Sequence, residues 1–85
     1  MSKITIDPKA LAIYVKLRDG KVSRTKEFAK EIFADLNSEG KLLGVEILQP
    51  GILAIRQVAR KFHNSTLARI APDLEKLYGK LLASR

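Results

Sequence analysis

Cysteine is absent, which rules out disulfides and cysteine-ligated metals. There is one histidine, His63. A dedicated transition-metal site usually draws on several His or Cys ligands, so no metal site is expected. No apolar run approaches the roughly 20 residues that a transmembrane helix needs. The opening Met1-Ser2-Lys3-Ile4-Thr5-Ile6-Asp7 has no apolar signal core before Pro8. The expectation is a soluble, cytoplasmic chain with no membrane partner. There is no phosphate-loop glycine run and no dinucleotide-binding fingerprint, and no cofactor is expected. Aromatic residues are 6% of the chain, too few for a base-stacking platform. Ser23, Ser38 and Ser65 have no base at a recognisable spacing. No catalytic residue is expected, and the chain reads as a non-enzyme.

What is present fits one small domain, with a β part over 1–50 and a helical part over 51–85. A chain of 85 residues buries only about 60–65% of its unfolded surface, so self-association is a common source of further burial. Apolar residues make up 46%, too many for disorder. Sixteen Lys and Arg stand against nine Asp and Glu, a formal charge of +7. That balance permits attraction to nucleic acid, an anionic surface or an acidic partner without choosing among them.

Lys3 to Asp7 alternates, with Ile4 and Ile6 on one side, as a short half-buried strand does. Asp7-Pro8-Lys9 turns it. Ala10 to Arg18 alternates again, with Leu11, Ile13, Val15 and Leu17 on one face. Asp19-Gly20 then signals a tight hairpin that would pair Lys21–Glu27 with Tyr14–Arg18. Over Glu27–Leu36 the pattern supports a helix and a strand equally. Phe28, Ile32 and Leu36 stack at helical spacing; Phe28, Ile32, Ala34 and Leu36 also share one strand face. Lys41 to Leu48 alternates cleanly, and Gly44 within it marks a bulge or a close approach by something packed on that face. Gln49-Pro50-Gly51 ends the sheet part.

Ile52 to Phe62 reads as a helix with Ile52, Ile55, Val58, Ala59 and Phe62 in one stripe. His63-Asn64-Ser65 breaks it, with Ser65 as N-cap of the next helix. A second stripe runs through Leu67, Ile70, Ala71, Leu74, Leu77, Tyr78 and Leu81. Pro72 falls inside it. An internal proline costs about 3 kcal/mol but is tolerated in a first turn, so the expectation is a helical turn over 66–71 and a main helix from Pro72.

Several segments together resemble a known family: Ile4-Thr5-Ile6-Asp7-Pro8, Ala12-Ile13-Tyr14-Val15-Lys16-Leu17, Arg24-Thr25-Lys26-Glu27, Ile32-Phe33-Ala34-Asp35-Leu36-Asn37, Gly40, and Leu43-Gly44-Val45-Glu46-Ile47-Leu48. The pattern is similar to that of the small prokaryotic domain-of-unknown-function family 2283, over about residues 3–50. The closing segment is its most specific part. The resemblance implies a strand at 28–36. The family often has Gly just before that strand's apolar run, where this chain has Glu31. It has no established activity and supplies no catalytic residues. Families of this kind often sit among toxin–antitoxin proteins, so the resemblance implies an antitoxin-like role with a toxin-like protein partner.

The expected fold is α+β: a four-stranded, mostly antiparallel β-meander followed by C-terminal helices packed on one sheet face. Leu11, Ile13, Val15, Leu17, Ile32, Ala34, Leu36, Leu43, Val45 and Ile47 are the expected sheet side of the core. Ile55, Val58, Phe62, Leu74, Leu77 and Leu81 are the expected helix side. A sheet face left with Tyr14, Phe33 and Leu48 exposed points to a homo-oligomer.

Three function classes follow. The first is a non-enzymatic binding module acting as a homo-oligomer, antitoxin-like in role. The second is a DNA-binding protein. Residues 52–71 resemble a helix-turn-helix whose cations are Arg56, Arg60, Lys61 and Arg69, although the break is about two residues short of the usual unit. The same stretch also reads as an amphipathic helix pair with Arg and Lys around its edge. The third is a metal-dependent hydrolase using Asp35 and Glu46, if these face each other across the central hairpin. Strand carboxylates on a solvated face, balanced by Lys and Arg, are the commoner arrangement.

Overall fold

The computed structural model describes residues 3–48 and 54–83. Five strands come first: β1 Lys3–Asp7, β2 Ala12–Lys16, β3 Arg24–Ala29, β4 Ile32–Leu36 and β5 Leu42–Ile47. Two helices follow, α1 Ile55–Lys61 and α2 Ser65–Ala83. The fold is α+β, as the sequence predicts, with five strands in place of four. Gln49-Pro50-Gly51 and Ile52, read as the end of the sheet and the start of the helix, lie outside the described residues.

The sheet order is β1-β2-β5-β4-β3, and the pairings are antiparallel. This corrects the expected meander. Residues 21–27 do not return along β2 through a turn at Asp19-Gly20. β2 instead takes β5 as its second neighbour, and the Leu17 and Arg18 N–H groups both donate to the Leu43 carbonyl at 2.8 and 3.1 Å. β3 pairs with β4 at the far edge, so 17–23 connects one part of the sheet to the other. Glu27–Leu36 is a strand hairpin. Its bend is at Glu31, which sits at φ 67, in the left-handed region that favours glycine.

One face of the sheet carries Ile13, Val15, Leu17, Ile32, Ala34, Leu36, Val45 and Ile47, all buried. A register shift between Asp35 and Leu36 sets Leu36 opposite Leu42, and Leu42 is buried together with Leu43. The helices close this core with Ile55, Val58, Ala59, Leu67, Ala71, Leu74 and Tyr78. Phe62, Leu77 and Leu81 are half-buried against it. The Phe62 ring lies 6.1 Å from that of Phe28, tying the bulged end of β3 to the helix turn.

Residues 62–64 form the corner between the helices. The Asn64 N–H donates to the Ala59 carbonyl and the His63 N–H to that of Arg60, while His63 takes φ 49. This is the hydrogen-bond pattern of a Schellman turn. Asn64 also caps α2, its Oδ1 accepting the Leu67 N–H at 2.8 Å, so the N-cap is Asn64 and not Ser65. α2 runs unbroken through Pro72, contrary to the expected restart there. Leu67, Ala71, Leu74 and Tyr78 form one continuous buried stripe across the proline. Burial at about 1.5–3 kcal/mol per large apolar side chain outweighs the lost hydrogen bond.

Candidate functional site

Adjacent strands place residues of one register row side by side on the sheet face away from the helices. One row reads Thr5, Tyr14, Glu46, Phe33, Glu27; the next reads Lys3, Lys16, Gly44, Asp35, Thr25. Tyr14 on β2 reaches over β5 to β4. Its hydroxyl donates to Asp35 Oδ2 at 2.7 Å, and the Thr25 hydroxyl on β3 donates to Oδ1 at 2.6 Å. The span from β2 to β4 is about 10 Å at normal strand spacing. Gly44 makes the crossing possible. A Cβ there would overlap the Tyr14 hydroxyl and lie 2.7 Å from its Cζ. The close approach that Gly44 marks in the sequence is the ring of Tyr14. Burial, then the hydrogen bond to Asp35, then the charges of Asp35 and Glu46 push the Tyr14 phenol up to about 12.

Asp35 and Glu46 do share this face, in adjacent rows. Asp35 is opposite Gly44, whereas Glu46 is opposite Phe33 and exposed. Both Asp35 oxygens are occupied by hydroxyl donors. Among the described residues, no group of three or more His, Cys, Asp or Glu is placed to hold a metal. The arrangement is a four-strand clasp that ties β2, β4 and β3 together over β5. Tyr14, Phe33 and Leu48 are half-buried, so this face is better covered than its composition suggests.

The cations at residues 56–69 are only partly gathered. Arg56 and Arg60 line a groove of about 480 Å³ in the corner between the helices, with His63 and Ser65. Lys61 and Arg69 do not line it. Arg69 lies opposite the buried stripe of α2, at about 100° per residue. Arg56 is engaged: its Nε and Nη2 donate to the two Glu75 oxygens at 2.9 and 2.8 Å. The pair holds Glu75 below, and Arg56 above, their ordinary values, chiefly through the hydrogen bonds between them. Arg60 and Lys61 occupy the last turn of α1, where cations suit the helix dipole. A second recess, of about 410 Å³, lies between the sheet end and the helix corner, with Arg18, Lys41 and Thr66 on its wall.

The two sheet edges differ. β3 directs Arg24 and Lys26 to the helix side, opposite Leu36 and Ala34, and carries a bulge between Glu27 and Ala29. Both features block edge-to-edge pairing. β1 has neither. It is exposed along its whole length, and on the helix side it presents Ile4 and Ile6, 41% and 37% exposed. Sequence alternation puts these two on one side of a half-buried strand; at the sheet edge both are exposed.

Residues 3–49 match a family model described as "Protein of unknown function (DUF2283)". The chain belongs to this family. The match covers the DUF2283 sheet, including Tyr14, Thr25, Asp35 and Gly44, and stops before the helices. No curated protein and no solved structure matches. No helix among the described residues of this DUF2283 protein is long and apolar enough to cross a membrane.

Proposed function

We propose that the protein is a non-enzymatic interaction module that assembles through the uncovered edge of its sheet. The observation that carries this reading is β1, an unbulged edge strand with two exposed isoleucines that pairs with β2 alone among the described residues. The clasp on the opposite face supports it from the other direction. Asp35 accepts one hydroxyl hydrogen bond on each oxygen, the arrangement of an acceptor that ties strands together. An antitoxin-like regulator, acting as a homo-oligomer with a toxin-like protein as its partner, is one form of such a module. Light scattering over a concentration series tests the reading. The mass should rise above the 9.5 kDa of one chain, and Ile6→Lys should suppress the rise. A constant single-chain mass for the unaltered protein would count against it.

A second reading, nucleic-acid binding, draws on the groove lined by Arg56 and Arg60 and on the charge of +7. Fluorescence anisotropy with a labelled duplex across a salt series tests it. Phosphate contacts require tight binding at low salt that falls steeply as salt rises. No binding at low salt removes the reading.

A further inference from the structure

We infer that the partner of β1 is the β1 strand of a second copy, paired antiparallel about a two-fold axis through Thr5. This rests on the interaction-module reading and names the occupant of its edge. β1 is its own antiparallel complement. With Thr5 opposite Thr5, Lys3 of each chain stands opposite Asp7 of the other, and Ile4 stands opposite Ile6. The two isologous halves are identical, as a two-fold interface demands.

The faces agree as well as the order. Lys3, Thr5 and Asp7 share the face of the Tyr14 row and the Asp35 row, while Ile4 and Ile6 lie opposite the core residues Val15 and Ile13. Pairing therefore puts two Lys–Asp pairs on the clasp side and four isoleucines together on the helix side. Within one chain, Lys3 has Lys16 as its neighbour across the strand pair, a like charge. Lys16 is turned to Asp19 at 2.8 Å, and Lys3 has no carboxylate partner among the described residues. Asp7 accepts the Lys9 and Ala10 N–H groups on Oδ1. Its Oδ2 takes no hydrogen bond among the described residues and stays available to a lysine. Opposed charges across strands attract and like charges repel, so the sequence of β1 favours this register over its one-residue slips. β3 differs in that its ladder is broken by the register shift between Glu27 and Ala29. Centring a pair of β3 strands on Lys26 would set lysine against lysine.

A single strand pair is smaller than the roughly 1,200 Å² of a standard interface, so the dimer should form and dissociate with concentration. The decisive experiment is a charge exchange read by sedimentation equilibrium between about 1 µM and 1 mM. Lys3→Asp and Asp7→Lys, made singly, each set like charges opposite one another at both ends of the pair. Each should raise the dimer dissociation constant about tenfold or more. The double variant, K3D with D7K, restores opposite charges and should return the constant to within about threefold of the unaltered protein. Circular dichroism confirms that each variant is folded, and both positions are exposed. Dimerisation that ignores the single changes, or that the double change does not restore, overturns the β1 register while leaving self-association standing. A protein that is monomeric throughout overturns both.

Discussion

The Tyr14 hydroxyl meets the Asp35 carboxylate at 2.7 Å by crossing the one position on β5 that has no side chain. Three separate strands depend on that vacancy at Gly44. Gly44→Ala should displace the Tyr14 ring, because the new Cβ overlaps its hydroxyl and sits 3.0 Å from the Val15 carbonyl. Overpacking of this kind costs about 1–3 kcal/mol, measurable by urea denaturation. The same variant should bring the Tyr14 pKa back toward its ordinary value of 10.0, followed through its ring carbon by NMR titration. An unchanged Tyr14 titration would mean that the ring does not cross there.

Alkaline stability follows from the same contact. The folded chain disfavours ionised Tyr14, whose pKa is pushed up to about 12 from 10.0. The stability contributed is therefore whole below pH 10 and is lost as pH rises from about 10 to about 12. Solvent screening on this half-buried face limits the effect to about 1 kcal/mol. Tyr14→Phe should remove this contribution at neutral pH and flatten the unfolding free energy over that window relative to the unaltered protein.

Glu31 holds the β3–β4 bend at φ 67, a left-handed conformation that glycine adopts without a Cβ penalty. Its carbonyl accepts the Leu48 N–H at 2.8 Å, so the bend is held in place by β5. Glu31→Gly should stabilise the fold by about 1 kcal/mol, read as a shift of the urea midpoint at constant slope. A loss of stability would show that the glutamate contributes more than its backbone strain takes away.

Pro72 lies within α2, exposed, with the helix intact on both sides. Pro72→Ala should restore the hydrogen bond to the Ala68 carbonyl and add about 1–3 kcal/mol. Thermal or urea unfolding checks this, and a destabilised variant would contradict it.

Most of the core was legible because alternation and helical stripes report burial directly. Ile13, Val15, Ile32, Val45 and Ile47 all point where their spacing says. Gly44 was legible too, as a close approach, although nothing in the sequence names Tyr14 as the group that approaches. Strand order was not legible. Asp19-Gly20 has the local chemistry of a hairpin turn, and only the non-local bonds from Leu17 and Arg18 to Leu43 decide otherwise. Pro72 misleads for the same reason, since local propensity yields to a buried stripe. Arg56, one of four cations grouped by sequence, is held by Glu75 nineteen residues away, beyond the reach of motif spacing.

Amide hydrogen exchange along β1, compared at low and high protein concentration, tests the central claim most directly. Pairing through this edge predicts that alternate amides between Lys3 and Asp7 slow as concentration rises, while those of the bulged edge, Arg24–Ala29, do not change. Exchange along β1 that is independent of concentration, or protection that appears on β3 instead, would contradict it.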